Sequence, residues 1–177
     1  MKSEAEEEIQ TNPNDSSGSW KEGLKHFIIP AIAVFFLLRV VFTIYIVPSG
    51  SMEPQIPAKS INIGWRLPYL FGDPALDRGD IIVFKIDGNE RFLLKRVIAV
   101  EGDTVQICDG KVFLNGEELN EPYVKEPMET DGEQLFVVPG GCVFCLGDNR
   151  NHSNDARVWD NPYVKLSSVY AKILFRN

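Results

Sequence analysis

Apolar residues are distributed so unevenly that they divide the chain into three stretches. Residues 1–20 are rich in Glu, Asn, Ser, Asp and Gly and almost free of apolar side chains. Such a composition cannot bury enough surface to offset the entropy of ordering, so a disordered tail is expected there. From Phe27 to Val47 nearly every residue is apolar, interrupted by Pro30 and Arg39. No polar face remains, and about 20 such residues span a bilayer. A transmembrane helix is therefore predicted at 24–44. Arg39 belongs toward its outer end, where the guanidinium snorkels instead of meeting the roughly 2.5–3.5 kcal/mol cost of the midplane. The long polar tail in front and the lack of a small-residue cleavage site set this stretch apart from a cleaved secretory signal. Lys21 and Lys25 flank it closely on the N-terminal side, whereas Lys59 and Arg66 lie further off on the other. That asymmetry puts the N-terminus in the cytoplasm and residues 45–177 on the other side of the membrane.

Beyond the apolar run the pattern is that of strands. Asp80–Lys85 reads as a mostly buried strand and Phe92–Val100 as another. Asp109-Gly110 and Asn115-Gly116 are hairpin turns around Val105–Ile107 and the strands that follow. Gln134–Leu146 and Val169–Phe175 supply further strands, and no stretch after residue 60 has a helical period of useful length. The expected fold is an all-β domain of twisted antiparallel sheets, 45–177, behind one N-terminal transmembrane helix. Trp65–Gly72, punctuated by Pro68, reads either as a loop dipping into the membrane interface, where Trp and Tyr are favoured, or as a loop packed on the core.

Charge and cysteines narrow the possibilities. The chain has 18 basic and 25 acidic residues, and in residues 1–20 only Lys2 stands against Glu4, Glu6, Glu7, Glu8 and Asp15. With no basic stripe, nucleic acid is excluded as a partner. Cys142 and Cys145 invite a redox or zinc reading. Three strand steps span about 10 Å, however, beyond the roughly 7 Å that a disulfide bridges between Cα atoms. Zinc would need more ligands than these and His26 and His152 supply, so Cys108, Cys142 and Cys145 read as small apolar residues and no cofactor is expected.

Three blocks can carry chemistry. Pro48-Ser49-Gly50-Ser51-Met52-Glu53-Pro54 is a tight turn able to hold a hydroxyl at a defined place. A serine nucleophile needs a base. His26 precedes the apolar run and would lie across the bilayer, while His152, in a polar loop, is either a base or a surface residue. In Phe92–Val100, alternation puts Leu93, Lys95, Val97 and Ala99 on one face. Lys95 among apolar neighbours either has a depressed pKa, as a base requires, or snorkels to a sheet edge. Arg96 points the other way, to solvent or a carboxylate. The dense polar loop Gly147–Arg157 follows an apolar run. It is either an ordinary Asx-rich turn or a set of convergent polar groups, with Asp155 and Arg157 paired to hold it rigid.

In order and spacing these blocks resemble type I signal peptidase, the membrane-anchored Ser/Lys protease that removes signal peptides from exported proteins. The resemblance rests on residues 48–54, on Arg78-Gly79-Asp80-Ile81-Ile82-Val83-Phe84, on Lys95-Arg96-Val97 followed by Gly102-Asp103, and on Gly147-Asp148-Asn149-Arg150 through Ser153, Asp155 and Arg157. It implies Ser51 as nucleophile and Lys95 as general base. It also implies an oxyanion hole from the Ser49 hydroxyl and the Ser51 amide, Ser153 orienting the lysine, and Asp155 with Arg157 supporting the site. It further implies cleavage after small residues, Ala-x-Ala type, in shallow pockets walled by Tyr45, Val47, Met52, Ile56, Val83, Leu93 and Leu94. The partners implied are the signal peptides of secretory preproteins and the lipid bilayer. His152, Ala156 and Asn151 stand where the family often has Asn, Ser and Asp. A self-cleaving repressor-type protease would share the Ser/Lys chemistry but needs a DNA-binding segment. A tethered β-module that only binds exported chains would need neither Ser51 nor Lys95.

Overall fold

The structure is a computed structural model that describes residues 19–72, 75–86, 91–130 and 132–174. The expected N-terminal tail lies outside the described residues except for its last two positions, and Phe175 lies outside them as well. The chain falls into two compact units, one up to Arg39 and one from Val40 onward.

The first unit carries a helix, α1, Ser19–Val41, whose last two residues belong to the second unit; Pro30 lies inside it and Arg39 in its last turn. The residues from Leu24 to Val40 are exposed, and the stretch Gly23–Val41 has the length and composition to cross a membrane. The helix stops three residues before the predicted 44. From Phe42 on, β-branched and aromatic residues alternate with a partner strand, and such side chains lose rotamer freedom in a helix but pack well on a sheet.

The second unit is built of antiparallel strands. The larger sheet contains β1 (Phe42–Ile46), β2 (Ile61–Trp65), β3 (Ile81–Phe84), β4 (Leu93–Ala99), β9 (Cys142–Leu146), β10 (Tyr163–Lys165) and β11 (Val169–Ile173), in the order β1-β2-β11-β3-β4-β9-β10. The smaller contains β5 (Thr104–Cys108), β6 (Lys111–Leu114), β7 (Glu117–Glu118) and β8 (Gln134–Val137), in the order β7-β6-β5-β8. Both hairpin turns foreseen from Asp-Gly and Asn-Gly form, with φ of 49° and 75° at Asp109 and Gly110 and 54° and 87° at Asn115 and Gly116. The apolar run Gln134–Leu146 is cut by Pro139-Gly140-Gly141 into β8 and β9, which belong to different sheets. That break turns one apolar stretch into the link between the two layers.

β3 and β4 lie inside the large sheet, and their alternation feeds two separate cores. Ile81, Val83 and Leu94 pack with Val47, Met52 and Ile56, whereas Ile82, Phe84, Leu93 and Val97 pack with Val143 and Cys145. A register shift between Val97 and Ala99, where β4 meets β9, moves Ala99 off the face of Lys95. Ala99 joins Ile98, Ile107 and Phe144 in the core shared with the small sheet, a correction to strict alternation along this strand. The predicted Trp65–Gly72 loop starts one residue too early, since Trp65 closes β2 opposite Phe42; Leu67–Leu70 form a 3-10 turn with no buried residue, Phe71 is 84% exposed, and Tyr69 packs partly on the core.

Gly110 tests the hairpin chemistry. It has φ +75°, and a Cβ there would lie 2.7 Å from the Met128 carbonyl oxygen. Gly110→Ala is expected to lower stability by about 1–3 kcal/mol in denaturant unfolding; an unchanged midpoint would contradict the account of this turn.

Candidate active site

The turn after β1 carries Ser51. It closes by a hydrogen bond from the Glu53 amide to the Gly50 carbonyl, 3.1 Å, and Met52 anchors it by full burial in the core under β3 and β4. Ser51 is thereby held nearly buried, at 7% exposure. On β4, Lys95 lies opposite Ile82 and is 4% exposed. Its Nζ donates to Ser51 Oγ at 2.7 Å. Ser49, exposed beside the turn, donates its hydroxyl to Ser51 Oγ over a longer 3.4 Å.

The polar loop after β9 grips this turn from the far side. The Asn149 amide donates to the Ser51 carbonyl at 3.0 Å, and Asn149 Nδ2 donates to the Gly50 carbonyl at 2.9 Å. Gly147 permits the approach: a Cβ there would sit 2.6 Å from the Ser51 carbonyl oxygen and 2.2 Å from Ser153 Oγ. Asp155 is fully buried; it accepts from the Gly147 amide at 3.0 Å and from Arg157 Nε and Nη2 at 2.8 and 2.9 Å. Arg157 Nη2 also donates to the Arg150 carbonyl at 2.6 Å, closing the loop on itself.

Beneath the site, Arg96 is as buried as Lys95 but fully partnered. Nε and Nη2 donate to the two carboxylate oxygens of Asp148 at 2.8 and 2.6 Å, and Nη1 donates to the Gly79 carbonyl at 2.9 Å. The guanidinium also stacks on the Tyr123 ring, 3.9 Å from its centroid. Burial pushes the Asp148 carboxyl above its usual range, while Arg96 opposes that rise.

Lys95 feels its surroundings differently. Burial is the largest influence and lowers its pKa below the ordinary lysine value; the charge on Arg157 acts in the same direction. Asp155, Cys145 and Asp148 oppose the shift. Burial outweighs these carboxylates, and Arg157, paired with Asp155, adds to it. A buried amine within hydrogen-bond reach of a buried alcohol is a pair that can exchange a proton and leave an alkoxide.

The fold therefore collects Ser49, Ser51, Lys95, Asp155 and Arg157 around one turn. Ser153 arrives there too, but its Oγ is buried and makes no hydrogen bond to any described residue, Lys95 included. Its hydroxyl is packed against Gly147 instead. Of the wall residues, Val47, Met52, Ile56, Val83 and Leu94, with Tyr45 at the margin, form one cluster. Leu93 is not part of it; one position from Leu94, it faces the opposite side of β4 and packs in another core. His152 is exposed in a 3-10 turn, Arg150–His152. Cys108, Cys142 and Cys145 are free thiols, and burial pushes the Cys145 thiol pKa up. Sequence reasoning missed Asn149 as the clamp on the turn and Asp148 as the partner of Arg96. The signal available was the adjacency of Arg96 to Lys95, since an arginine in a buried strand needs a carboxylate.

That pair yields a direct test. Asp148→Ala leaves Arg96 buried without its partner and is expected to cost about 3–5 kcal/mol in denaturant unfolding. The double variant Arg96→Met, Asp148→Leu is expected to be much milder; equal losses would contradict the buried-pair account.

Comparison with known proteins identifies the family. The family described as signal peptidase, peptidase S26, matches residues 20–177. A probable signal peptidase I-1 of Synechocystis is 33% identical over 161 residues, covering 84% of this chain and 80% of the relative. A signal peptidase I of Bacillus licheniformis is 33% identical over 162 residues, covering 85% and 83%. The crystal structure of a signal peptidase I from Enterococcus faecalis superposes with a TM-score of 0.50 at 32% identity, over 59% of this chain and all of that one. The chain belongs to the signal peptidase family, peptidase S26, and is a hydrolase of the serine endopeptidase class.

Proposed function

We propose that the chain is a membrane-tethered endopeptidase that cuts signal peptides from exported preproteins after small residues, with Ser51 as nucleophile and neutral Lys95 as general base. The observation that carries this reading is the 2.7 Å contact between two buried groups, Lys95 Nζ and Ser51 Oγ. With the proton on the alcohol and the amine neutral, the same contact lets the Ser51 hydroxyl donate to Lys95. Lys95 takes that proton as Ser51 Oγ attacks the scissile carbonyl. The Ser51 amide and the Ser49 hydroxyl stabilise the oxyanion. The lysine ammonium then protonates the leaving amine, and a water attacks the acyl-enzyme with Lys95 again accepting the proton. Asp155 and Arg157 hold the loop that backs the dyad, and Ser153, on the same loop, serves to orient Lys95.

Specificity follows from the cluster under the turn. Val47, Met52, Ile56, Val83 and Leu94, with Tyr45, fill the floor with large side chains. Only small substrate residues, as in Ala-x-Ala, fit over such a floor, with the substrate extended as an added strand. The membrane reading rests on α1 and on the sheet that follows it without an intervening residue. In the β1–β2 pair Ile44 lies opposite Ile63 and Ile46 opposite Ile61, and these four side chains are 42–71% exposed. With Trp65, on the same face of β2, they form an apolar surface suited to lipid. The N-terminus is cytoplasmic and the peptidase domain lies on the outer face.

Lys95→Ala is expected to lower cleavage of an Ala-x-Ala signal-peptide substrate by at least about 10³-fold; retained turnover would remove Lys95 as base. The pH–rate profile supplies the sign. Below the lowered pKa of Lys95 the amine is protonated and cannot accept, so kcat should fall as pH drops through a value under the ordinary 10.5 of lysine. A profile rising only above that value would contradict the reading.

A further inference from the structure

The segment between β7 and β8 holds none of the residues assigned to the chemistry, yet it touches each part of the site. Glu121 receives both Arg150 Nη1 and Nη2, at 2.9 and 2.5 Å. Tyr123 donates its hydroxyl to Glu121 at 2.9 Å while its ring lies against Arg96, the neighbour of Lys95. The Lys125 amide donates to the Asp148 carbonyl at 3.2 Å, and Lys125 Nζ reaches Glu53 Oε2 at 3.0 Å. Lys125 thus contacts the polar loop with its backbone and the nucleophile turn with its side chain.

We infer that Glu121–Lys125 is a strap that fixes the nucleophile turn against the loop and β4, with the Glu53–Lys125 ion pair as its working end. Glu53 and Lys125 are positioning residues, acting through Gly50 and Ser51; the inference rests on Ser51 being the nucleophile. Glu53 stands two positions after Ser51, and its carboxylate lies over Gly50, where a Cβ would come within 2.9 Å of Glu53 Oε1. The Gly50 carbonyl below accepts from the Glu53 amide and from Asn149 Nδ2. Gly50 is therefore held between the strap on one side and the polar loop on the other. Lys125, by hydrogen bond and charge, keeps the Glu53 carboxyl below its usual range. The two side chains are 39% and 33% exposed, and a pair so exposed adds little to global stability. Its effect is on geometry, and catalysis is far more sensitive to displacement of a nucleophile than folding is to a surface pair.

The test uses the full chain in detergent micelles, a peptide spanning a signal cleavage site, and the variants Glu53→Gln, Lys125→Met, their combination, and Lys125→Arg. Each of the first two is expected to lower kcat about five- to tenfold, with KM within about twofold and the melting temperature within about 2 °C of the parent. The combination should be no worse than either single variant, because both remove one interaction. Lys125→Arg should keep at least about half of kcat, since the charge and reach survive. Unchanged kcat in the single variants overturns the inference. So does a rise in KM alone, which would make the pair a substrate contact, or activity falling in step with melting temperature, which would make it structural. Ser51→Ala run alongside separates the two readings: turnover surviving in that variant refutes Ser51 as nucleophile, whereas its loss leaves the strap to be judged on the other variants.

Discussion

One amine determines the architecture of this site: Lys95, buried on a central strand with its nitrogen against the Ser51 hydroxyl. A charged ammonium in such a place is costly, and each unit by which its pKa falls corresponds to about 1.4 kcal/mol. The neighbouring charges could have undone this by stabilising the ammonium, because Asp148 and Asp155 both lie close enough to raise its pKa. Each is instead matched by its own arginine. Arg96 holds both oxygens of Asp148, and Arg157 holds both oxygens of Asp155. Burial remains the largest influence on the amine, and the charge of Arg157 acts with it.

The same economy of contacts explains why the Ser51 hydroxyl stays in place. Ser51 sits on a short turn, which by itself has few restraints. Met52 roots the turn in the apolar core, Asn149 takes the carbonyls of Gly50 and Ser51, and Glu53 leans over Gly50. Glycine at 147 lets the loop come this close, since any side chain there would meet both Ser153 and the Ser51 carbonyl. Two sheets meet around these pieces. The break at residues 139–141 sends β8 to the small sheet and β9 to the large one, and the loop carrying Asn149 and Asp155 leaves directly from β9.

Much of this was legible in the sequence, for identifiable reasons. The Asp-Gly and Asn-Gly turns, the buried strands around Val83 and Lys95, and the apolar span all rest on local preferences that tertiary structure did not override. β2 was not legible: Ile61–Trp65 contains Gly64 and exposed isoleucines, and it becomes a strand only through its pairing with β1 and β11. The bulge that removes Ala99 from the face of Lys95 arises from the pairing with β9, which no local pattern encodes. Among the site residues, Ser51, Lys95, Asp155 and Arg157 were named from four collinear blocks. Asn149 and Glu121 were not, because their contacts run across 99 and 29 positions of chain and depend on the fold being complete. Leu93 shares the face of Lys95 while Leu94 faces the other side, so the walls named from sequence come from both sides of β4 and not from one cluster.

The most direct measurement is an NMR titration of the Lys95 side chain in the full protein, with lysine carbons labelled at the position next to the amine and Lys95→Ala used for assignment. The account requires one lysine to lose its proton well below the range of the exposed lysines, and requires that transition to coincide with the rise in turnover. A Lys95 signal titrating together with the exposed lysines, in an enzyme fully active at neutral pH, would contradict it.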